Sequence, residues 1–510
     1  MDWALRTFRL SPRSLAAMRI GLGIILCCDG ILRARDFPLM YSADGLFPPT
    51  LLRDYLGSPA VWTVALWGEP GWCSAALLLV ETTAGLLLAV GLATRWATLA
   101  AWVAVVSLTR RTAPASNAGD AWLGCLLLWS LFVPLAQVWS IDARRRGRRQ
   151  ESPHSQSEAG IFSCGTVALV LQVAAVYLSA GLAKCDGIWL AGDAVTYALS
   201  VHNHGTPLGA IIAAQPWLAR LTTWLVLAGE LAAPCLLLAL PASLPRTALV
   251  ILGLLFHAAI GLTMNVGLFA PVGIVAWLAL LPEGWWGRQE ASPGPAVDRP
   301  PGRQAIDLLC GVCLTVAAIS FWHANTPWRG RPLPPLITSA VSLLALEQDW
   351  RVFGDVQRQQ QWVYSRAGLA DGSLVDLLRG GARVIPELPP GGFYSLPNHR
   401  WHTLFWDLSK PRQRLFAPAV AAALAAGWNR SHGAESQVVS LELRSAHLIP
   451  TPPTEMLHEV LLATWPPRPA GRRDLHPARG QQTIPALPSF RLDDRQKGRR
   501  PFSTAREATQ

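Results

Sequence analysis

Residues 163–184 read SCGTVALVLQVAAVYLSAGLAK, and this stretch carries no charged side chain before its last residue, Lys184. A helix of about 20 mainly apolar residues is long enough to cross a lipid bilayer. The stretch therefore predicts a membrane-spanning helix. Eight further segments have a similar character, the shortest being 268–284, so we predict eight or nine spans, at residues 14–34, 72–93, 96–113, 119–138, 163–184, 217–240, 246–266, 268–284 and 304–323.

The composition agrees with a chain that lies largely in a membrane. Charged residues make up 15% of the 510 residues, against about 25% in an average soluble domain. The chain also contains 23 tryptophans, whose amphipathic rings favour the boundary between membrane and water. These features predict that the main partner of the chain is the lipid bilayer.

The basic residues are unevenly distributed. Residues 466–510 supply +6 of the formal net charge of +11, and a second basic group lies at residues 144–149. Beside long apolar segments, such groups favour the cytoplasmic face of a membrane, and we predict no nucleic-acid partner. Counting spans then predicts a cytoplasmic N-terminus and a C-terminal domain on the non-cytoplasmic side. Arg110 and Arg111 do not follow this rule.

The character of the chain changes after about residue 325. Residues 437–444 (QVVSLELR) alternate between apolar and polar as in a strand, and residues 417–428 favour a helix. We predict an all-α polytopic membrane bundle followed by a small α+β domain and a tail whose composition is typical of disorder. The predicted boundaries are 1–325 for the membrane bundle, 326–465 for the extramembrane domain and 466–510 for the basic tail.

Several ionisable residues fall within or at the ends of the predicted spans. Charged groups in a bilayer are costly and usually serve function or paired structure. The predicted topology places one set of these residues near mid-depth, namely Glu81, Glu230 and His257. It places a second set near the non-cytoplasmic helix ends, where they can form one outward-facing cluster: Asp29, Asp120, Lys184 and Asp186.

Lys184 is the most informative of these residues. The chain has 44 basic residues, and its only lysines are Lys184, Lys410 and Lys497. An arginine stays protonated in proteins, whereas a desolvated lysine can lose its proton and act as a base. Lys184 is therefore a candidate catalytic amine. The alternative is a lysine whose ammonium group reaches the membrane interface and pairs with Asp186, and sequence chemistry alone does not decide between the two.

Two further patterns surround these residues. Tyr177, Gly181 and Lys184 share a helical face, on which a glycine would let another helix or a flat ligand approach closely. On a later span, Pro234 should disturb the helix one turn after Glu230, whose carboxyl group could then bond to His257. Plain helix packing and a structural polar contact are the simpler explanations of these two patterns.

A series of short stretches makes the chain recognisable. They are Tyr41–Pro48 (YSADGLFP), Ser116–Asp120 (SNAGD), Trp139–Asp142 (WSID), Tyr177–Trp189 (YLSAGLAKCDGIW), Glu230 with Pro234, Phe256–His257, Gly267–Phe269 and Gln348–Phe353 (QDWRVF). In order and spacing they resemble the HTTM domain, the membrane module shared by vitamin K-dependent gamma-carboxylase and its bacterial relatives. The resemblance covers most of residues 10–350 and extends weakly to about residue 465.

This resemblance implies a reaction. The carboxylase oxidises a reduced naphthoquinone with O2 to the epoxide, and the strong base so formed removes a proton from a glutamate side chain, whose carbanion takes up CO2. The family's lysine base falls on Lys184, and a family histidine falls on His257. The implied reactants are a reduced naphthoquinone, O2 and CO2, with no metal, in a bacterial inner membrane. Substrate-binding residues are predicted in the matched stretches and first span: Tyr177, Gly181, Asp186, Trp189, Glu230, Asp120 and Asp29.

The chain departs from the animal enzyme in two respects. A functional histidine of that enzyme is replaced here by Gly119 or Asp120, and the external domain is short and without cysteine. Quinone epoxidation is therefore predicted with or without glutamate carboxylation, and a protein or peptide substrate stays open. Two other functions fit the sequence: a transporter or channel that uses Glu81, Glu230 and His257, and a non-catalytic membrane assembly protein.

Overall fold

Helices dominate the structure, a computed structural model that describes residues 2–68, 70–147, 160–199, 204–240, 244–287, 303–356, 358–389, 396–451, 454–467 and 483–484. The first half of the chain contains α1 (Asp2–Phe8), α2 (Pro12–Arg35), α3 (Pro49–Leu56), α4 (Pro70–Val90), α5 (Thr94–Arg111), α6 (Ala118–Ser130), α7 (Ile141–Gly147), α8 (Cys164–Ala183), α9 (Gly187–Leu190), α10 (Ala194–Ala198), α11 (Pro207–Ala213) and α12 (Pro216–Ala239). There follow α13 (Leu244–Thr263), α14 (Phe269–Leu278), α15 (Arg303–Ala324), α16 (Pro335–Leu344), α17 (His399–Asp407) and α18 (Ala417–Ser431).

Six of these helices are long and apolar enough to cross a membrane. They are α2, α4, α8, α12, α13 and α15, with spans of 20 to 24 residues in the part of the chain that the structure describes. About 20 residues at 1.5 Å each match the thickness of the hydrocarbon core. The chain is therefore a multi-pass integral membrane protein, as its composition predicts.

Three of the nine predicted spans take another form. Segment 96–113 becomes α5, which carries three arginines within its 18 residues. Segment 119–138 yields the 13-residue α6, and segment 268–284 yields the 10-residue α14. Apolar helices of this length are more often buried inside a protein than exposed to lipid. Trp122 of α6 and Trp277 of α14 are indeed fully buried, so protein contacts explain the apolar composition of these two segments.

The two arginines that violate the charge rule are structural. Arg110 donates from Nη1 to the carbonyl of Trp62 at 2.9 Å, and Arg111 donates from Nη1 to the carbonyl of Phe47 at 2.8 Å. Both side chains are buried. Because they bind backbone oxygen atoms inside the protein, they give no information about which side of the membrane is cytoplasmic.

A polar network crosses the centre of the bundle. Gln172 of α8 accepts a hydrogen bond from Trp129 Nε1 and donates to Gln348 Oε1, both at 2.9 Å. Gln348 in turn accepts from Trp350 Nε1 at 2.7 Å. Buried polar groups that satisfy one another in this way avoid the penalty of burial without partners. The network ties the segment after α16 to α8, the helix that ends at Lys184.

The C-terminal region forms an antiparallel sheet with helices against it. Its strands are β1 (Gln360–Leu369), β2 (Leu374–Asp376), β3 (Ala382–Arg383), β4 (Val438–Thr451), β5 (Thr454–Trp465) and β6 (Thr483–Ile484), in the order β3-β2-β1-β4-β5-β6. β4 and α18 confirm the strand and helix predicted at 437–444 and 417–428. The predicted tail, 466–510, lies outside the described residues except for 466–467 and 483–484.

The C-terminal region shares a core with the loops at one end of the membrane helices. Phe416 packs edge-on against Phe47 and Tyr55, with ring centroids 5.6 and 5.3 Å apart. Buried residues of α17, α18, β1 and β4 complete the same cluster. The α17 helix therefore lies directly on the membrane-embedded part of the protein, at the end where the predicted site residues are found.

Candidate functional site

Lys184 ends α8 and turns its amine into the protein. Its side chain is 2% exposed, and Nζ lies 2.7 Å from Glu230 Oε2 and 2.7 Å from the carbonyl oxygen of Val352. The amine also lies 5.1 Å from the ring centroid of Trp189, a cation–π contact. The alternative pairing with Asp186 does not occur, because Asp186 instead caps α9 by accepting from the Trp189 backbone N–H at 3.3 Å.

Gly181 brings Glu230 within reach of this amine. A Cβ atom at Gly181 would lie 2.9 Å from Leu231 Cδ2 and 3.2 Å from the carbonyl carbon of Glu230. The glycine thus allows α8 and α12 to pack closely, in the way small residues do in membrane helices. Pro234 does not end the helix, because α12 continues through it to Ala239, but its missing N–H leaves the Glu230 carbonyl without the usual helical partner.

His257 forms a second buried polar group, with Tyr177. The Tyr177 oxygen accepts a hydrogen bond from Trp277 Nε1 at 2.6 Å, so its own proton is directed at His257 Nε2, also 2.6 Å away. Because Nε2 accepts this bond, the proton of a neutral imidazole is assigned to Nδ1. Nδ1 has no hydrogen-bond partner among the described residues. The predicted contact between Glu230 and His257 is replaced by Glu230–Lys184 and Tyr177–His257 pairs.

An apolar cavity of about 170 Å³ brings these two groups together. Five predicted site residues line it: Lys184, Glu230, Trp189, Tyr177 and His257. The rest of its wall is almost entirely apolar and comes from α8, α10, α11, α12, α13, the start of α14 and the Val352–Phe353 segment. A ligand in this cavity would be flanked by the amine of Lys184 and the carboxyl group of Glu230 on one side, and by the Tyr177–His257 pair on another.

A glycine of α14 makes room for the histidine. A Cβ atom at Gly273 would overlap the imidazole of His257, which is 1% exposed and held by Tyr177. We expect Gly273→Ala to destabilise the protein by about 1–3 kcal/mol, the usual effect of overpacking a core. Gly311→Ala on α15 is the matched control, because open space surrounds that position. The melting temperatures would be measured by thermal unfolding in detergent. Equal melting temperatures for both variants and the parent would contradict this prediction.

Three other predicted residues lie in a separate buried ion cluster. Arg33 Nε lies 2.7 Å from Asp29 Oδ2, and Arg33 Nη2 lies 3.1 Å from Asp120 Oδ1. Glu81 is 3.6 Å from Arg33 Nε. Arg400, from α17 of the C-terminal region, completes the cluster at 2.8 Å from Asp120 Oδ1 and 3.0 Å from Asp29 Oδ1. All five side chains are at most 1% exposed.

The structure therefore groups the ionisable residues differently from the two predicted sets. Asp29 and Asp120 do not join Lys184 in one outward-facing cluster, and Glu81 lies with them rather than with Glu230 and His257. The reason is that Arg33 and Arg400 pair with Asp29 and Asp120 inside the protein, where unpaired charge is costly. Among the described residues, no group of three or more His, Cys, Asp or Glu side chains is arranged to hold a metal ion.

Sequence reasoning missed several residues of the site. Arg33 follows Asp29 by four positions, a spacing that indicates an ion pair within one helix and could have identified it. The roles of Arg400 and of the Val352 carbonyl could not have been found locally, because they lie 280 and 168 positions from Asp120 and Lys184. Phe353, whose backbone adopts φ 57°, accepts from Trp189 Nε1 through its carbonyl at 3.0 Å.

Comparison with known proteins identifies the membrane region. No curated protein and no solved structure matches the chain. The family model described as the HTTM domain matches residues 9–285, which is more than half of the chain. The matched range contains Lys184, Glu230, Tyr177 and His257, and it ends before α15 and the C-terminal sheet. Together with the six apolar helices, this match shows that the chain belongs to the HTTM domain family.

Proposed function

We propose that the protein is a membrane enzyme that oxidises a reduced naphthoquinone, with Lys184 as the base. The observation that carries the proposal is the position of the Lys184 amine, which is buried in the wall of an apolar cavity instead of facing bulk water or lipid. Family membership supports it, because the chain matches the HTTM domain and this resemblance implies the chemistry of the vitamin K-dependent carboxylase.

Lys184 and Glu230 act as one proton-carrying pair. An ammonium form of Lys184 is held by the Glu230 carboxylate, and a proton shifted to Glu230 would leave a neutral amine. That amine takes the proton of a substrate hydroxyl: the O–H bond breaks, an N–H bond forms, and an anionic ring oxygen faces the new ammonium group. The surrounding apolar wall strengthens this attraction, because few water dipoles are available to screen it.

The cavity mouth indicates where the substrate comes from. Ala259 of α13 lines the cavity and is also exposed, so it marks an opening. It lies within a membrane-spanning helix, next to the exposed, lipid-facing Leu255 and Leu262. A substrate would therefore enter from the bilayer, between α12 and α13, as a membrane-soluble quinone can. The cavity accommodates a compact ring system, and a hydrocarbon tail would remain in the lipid.

We expect Ala259→Trp to block this entrance. An indole at the mouth would compete with a tail-bearing quinone for the same space, and kcat/KM should fall at least about tenfold, the effect of losing roughly 1.4 kcal/mol of binding. Leu255→Trp is the control, because Leu255 is exposed on the same helix but does not line the cavity. Equal kcat/KM for the two variants would place the entrance elsewhere.

The direct test is turnover by the full chain in lipid nanodiscs. Reduced 2-methyl-1,4-naphthoquinone is supplied under O2, and the epoxide is followed by mass spectrometry, with heat-inactivated protein as the control. Labelled CO2 and a glutamate-containing peptide added to the same reaction test whether carboxylation accompanies oxidation. Absence of both epoxide formation and naphthoquinone binding would refute the proposal. Glu81 lies apart from Glu230 and His257, so the geometry does not favour a transport route through all three.

A further inference from the structure

A second, polar cavity adjoins the apolar one at the same end of the membrane helices. It measures about 1050 Å³, and Lys410, whose side chain is 53% exposed, lines it. This space is therefore open to water. The two cavities have four lining residues in common, namely Ala198, Phe269, Val352 and Phe353. These four residues form a thin wall between the cavity assigned to the substrate and the polar cavity.

Phe353 is the aromatic residue of this wall that faces both sides. It is half-buried, and its ring centroid lies 5.2 Å from that of His204, which lines the polar cavity. On the other side it packs against the apolar groups that contain Trp189 and Val195, two residues that line the apolar cavity. Phe269, the other phenylalanine of the wall, is buried. The ring of Phe353 therefore separates the two spaces.

The backbone of Phe353 has a conformation that bulky residues rarely adopt. Its φ of 57° lies in the left-handed region, where a Cβ atom crowds the backbone. Two hydrogen bonds hold the turn in place. The Val352 carbonyl accepts from Lys184 Nζ at 2.7 Å, and the Phe353 carbonyl accepts from Trp189 Nε1 at 3.0 Å. Strain of this kind persists only where the surrounding structure imposes it, and it is concentrated at functional sites.

The wall lies between two lysines that have the same kind of partner. Lys184 Nζ lies 2.7 Å from Glu230 Oε2, and Lys410 Nζ lies 2.6 Å from Asp407 Oδ1. They differ in their access to water, because the Lys184 side chain is 2% exposed and the Lys410 side chain 53%. Water at the Lys184 amine would favour the ammonium form, which cannot act as a base, and would screen the attraction to an anionic ring.

We propose that Phe353 is a positioning residue of the reaction, whose ring closes the substrate cavity against the polar cavity and keeps water from the Lys184 amine. The proposal rests on the function proposed above and extends it. It makes exclusion of water on the side of the C-terminal region a condition for turnover, while the substrate still enters from the lipid.

The test uses the two lysines as reporters. The full chain in nanodiscs is treated with sulfosuccinimidyl acetate, a charged acetylating reagent that stays in water, and acetylation is followed by peptide mass spectrometry. In the parent, Lys410 should react and Lys184 should be protected. Phe353→Ala should raise the acetylation rate of Lys184 at least about tenfold, because exposure of the amine, and no longer a rare local opening, then determines its reactivity. A Lys184 rate that stays at the parental value would overturn the proposal.

Two control variants distinguish an opened wall from a loosened protein. Phe353→Leu keeps an apolar side chain in the wall, and Trp406→Ala removes a half-buried ring that lines the polar cavity but not the apolar one. Lys184 should stay protected in both. Acetylation of Lys184 in Trp406→Ala as fast as in Phe353→Ala would also overturn the proposal. If Phe353→Ala fails to fold, Phe353→Gly replaces it, because glycine adopts φ 57° without strain.

Turnover supplies an independent measurement. Phe353→Ala should lower kcat for reduced naphthoquinone at least about tenfold, because water weakens the attraction between the ammonium group and the anionic ring, and Phe353→Leu should retain most of the activity. Parental kcat in a Phe353→Ala protein whose Lys184 is acetylated would overturn the need for a closed cavity.

The acetylation measurement does not depend on catalysis, so this inference and the proposed function can fail separately. Protection of Lys184 in Phe353→Ala, with an active parent, would refute this inference alone. A parent that binds no naphthoquinone and forms no epoxide would refute the proposed function, even if Phe353→Ala exposes Lys184 to the reagent.

Discussion

Lys184→Ala is expected to lower turnover of reduced naphthoquinone by at least about a hundredfold, because a positioned general base contributes about 10²- to 10⁴-fold. Lys184→Arg should lose as much, since a guanidinium keeps its proton. Turnover would be measured as the rate of epoxide formation, and the uncatalysed rate in empty nanodiscs would be subtracted. The expected defect lies in kcat, because the apolar cavity and the Tyr177–His257 pair remain to bind the ring.

A second variant distinguishes a loss of catalysis from a loss of folding. Lys184→Ala leaves the Glu230 carboxyl without the ammonium group that lies 2.7 Å away, and this alone can destabilise the protein. Lys184→Met combined with Glu230→Gln removes both charges and should fold while remaining inactive. Arg220→Ala, which breaks an exposed ion pair with Asp193 near the site, should retain parental turnover. Parental turnover by both Lys184→Ala and Lys184→Arg would exclude the lysine as the base.

The local parts of this site could be predicted from sequence. The predicted span 163–184 agrees with α8 to within a residue at each end, because a long uncharged apolar stretch has few alternatives in a membrane protein. Lys184 was recognisable as unusual by composition alone. Its partner was not, because the register between α8 and α12 depends on the close approach at Gly181.

The predicted depth of a residue in the membrane did not reveal its interaction partner. Glu81 and Glu230 were grouped by height in the membrane, yet one lies with Arg33 and the other with Lys184. Hydrophobicity places a helix across the bilayer but does not specify its rotation or its neighbours, which depend on packing. The same limit applies to α6 and α14, which are apolar because protein surrounds them.

The second large effect is expected for Arg33→Met. This change removes the cation bound by Asp29, Asp120 and Glu81. Arg400, which pairs with Asp29 and Asp120, is the cation of the cluster that remains. Breaking a buried ion pair by removing one partner costs about 3–5 kcal/mol, because the remaining charge stays in a medium of low polarity. Unfolding in mixed micelles would measure the loss. Arg35→Met is the control, because Arg35 occupies the last turn of the same helix and is exposed.

Removing a second charge should reverse part of this loss. Arg33→Met combined with Asp29→Leu takes out the closest pair of the cluster, at 2.7 Å, and leaves Arg400 to serve Asp120 at 2.8 Å. A neutral, apolar replacement of a buried ion pair is often tolerated, so the double variant should be more stable than Arg33→Met alone. Additive destabilisation would mean that Asp29 is held mainly by Arg400. In that case the docked α17 helix, and not the pairing within α2, would be the principal source of stability in the cluster.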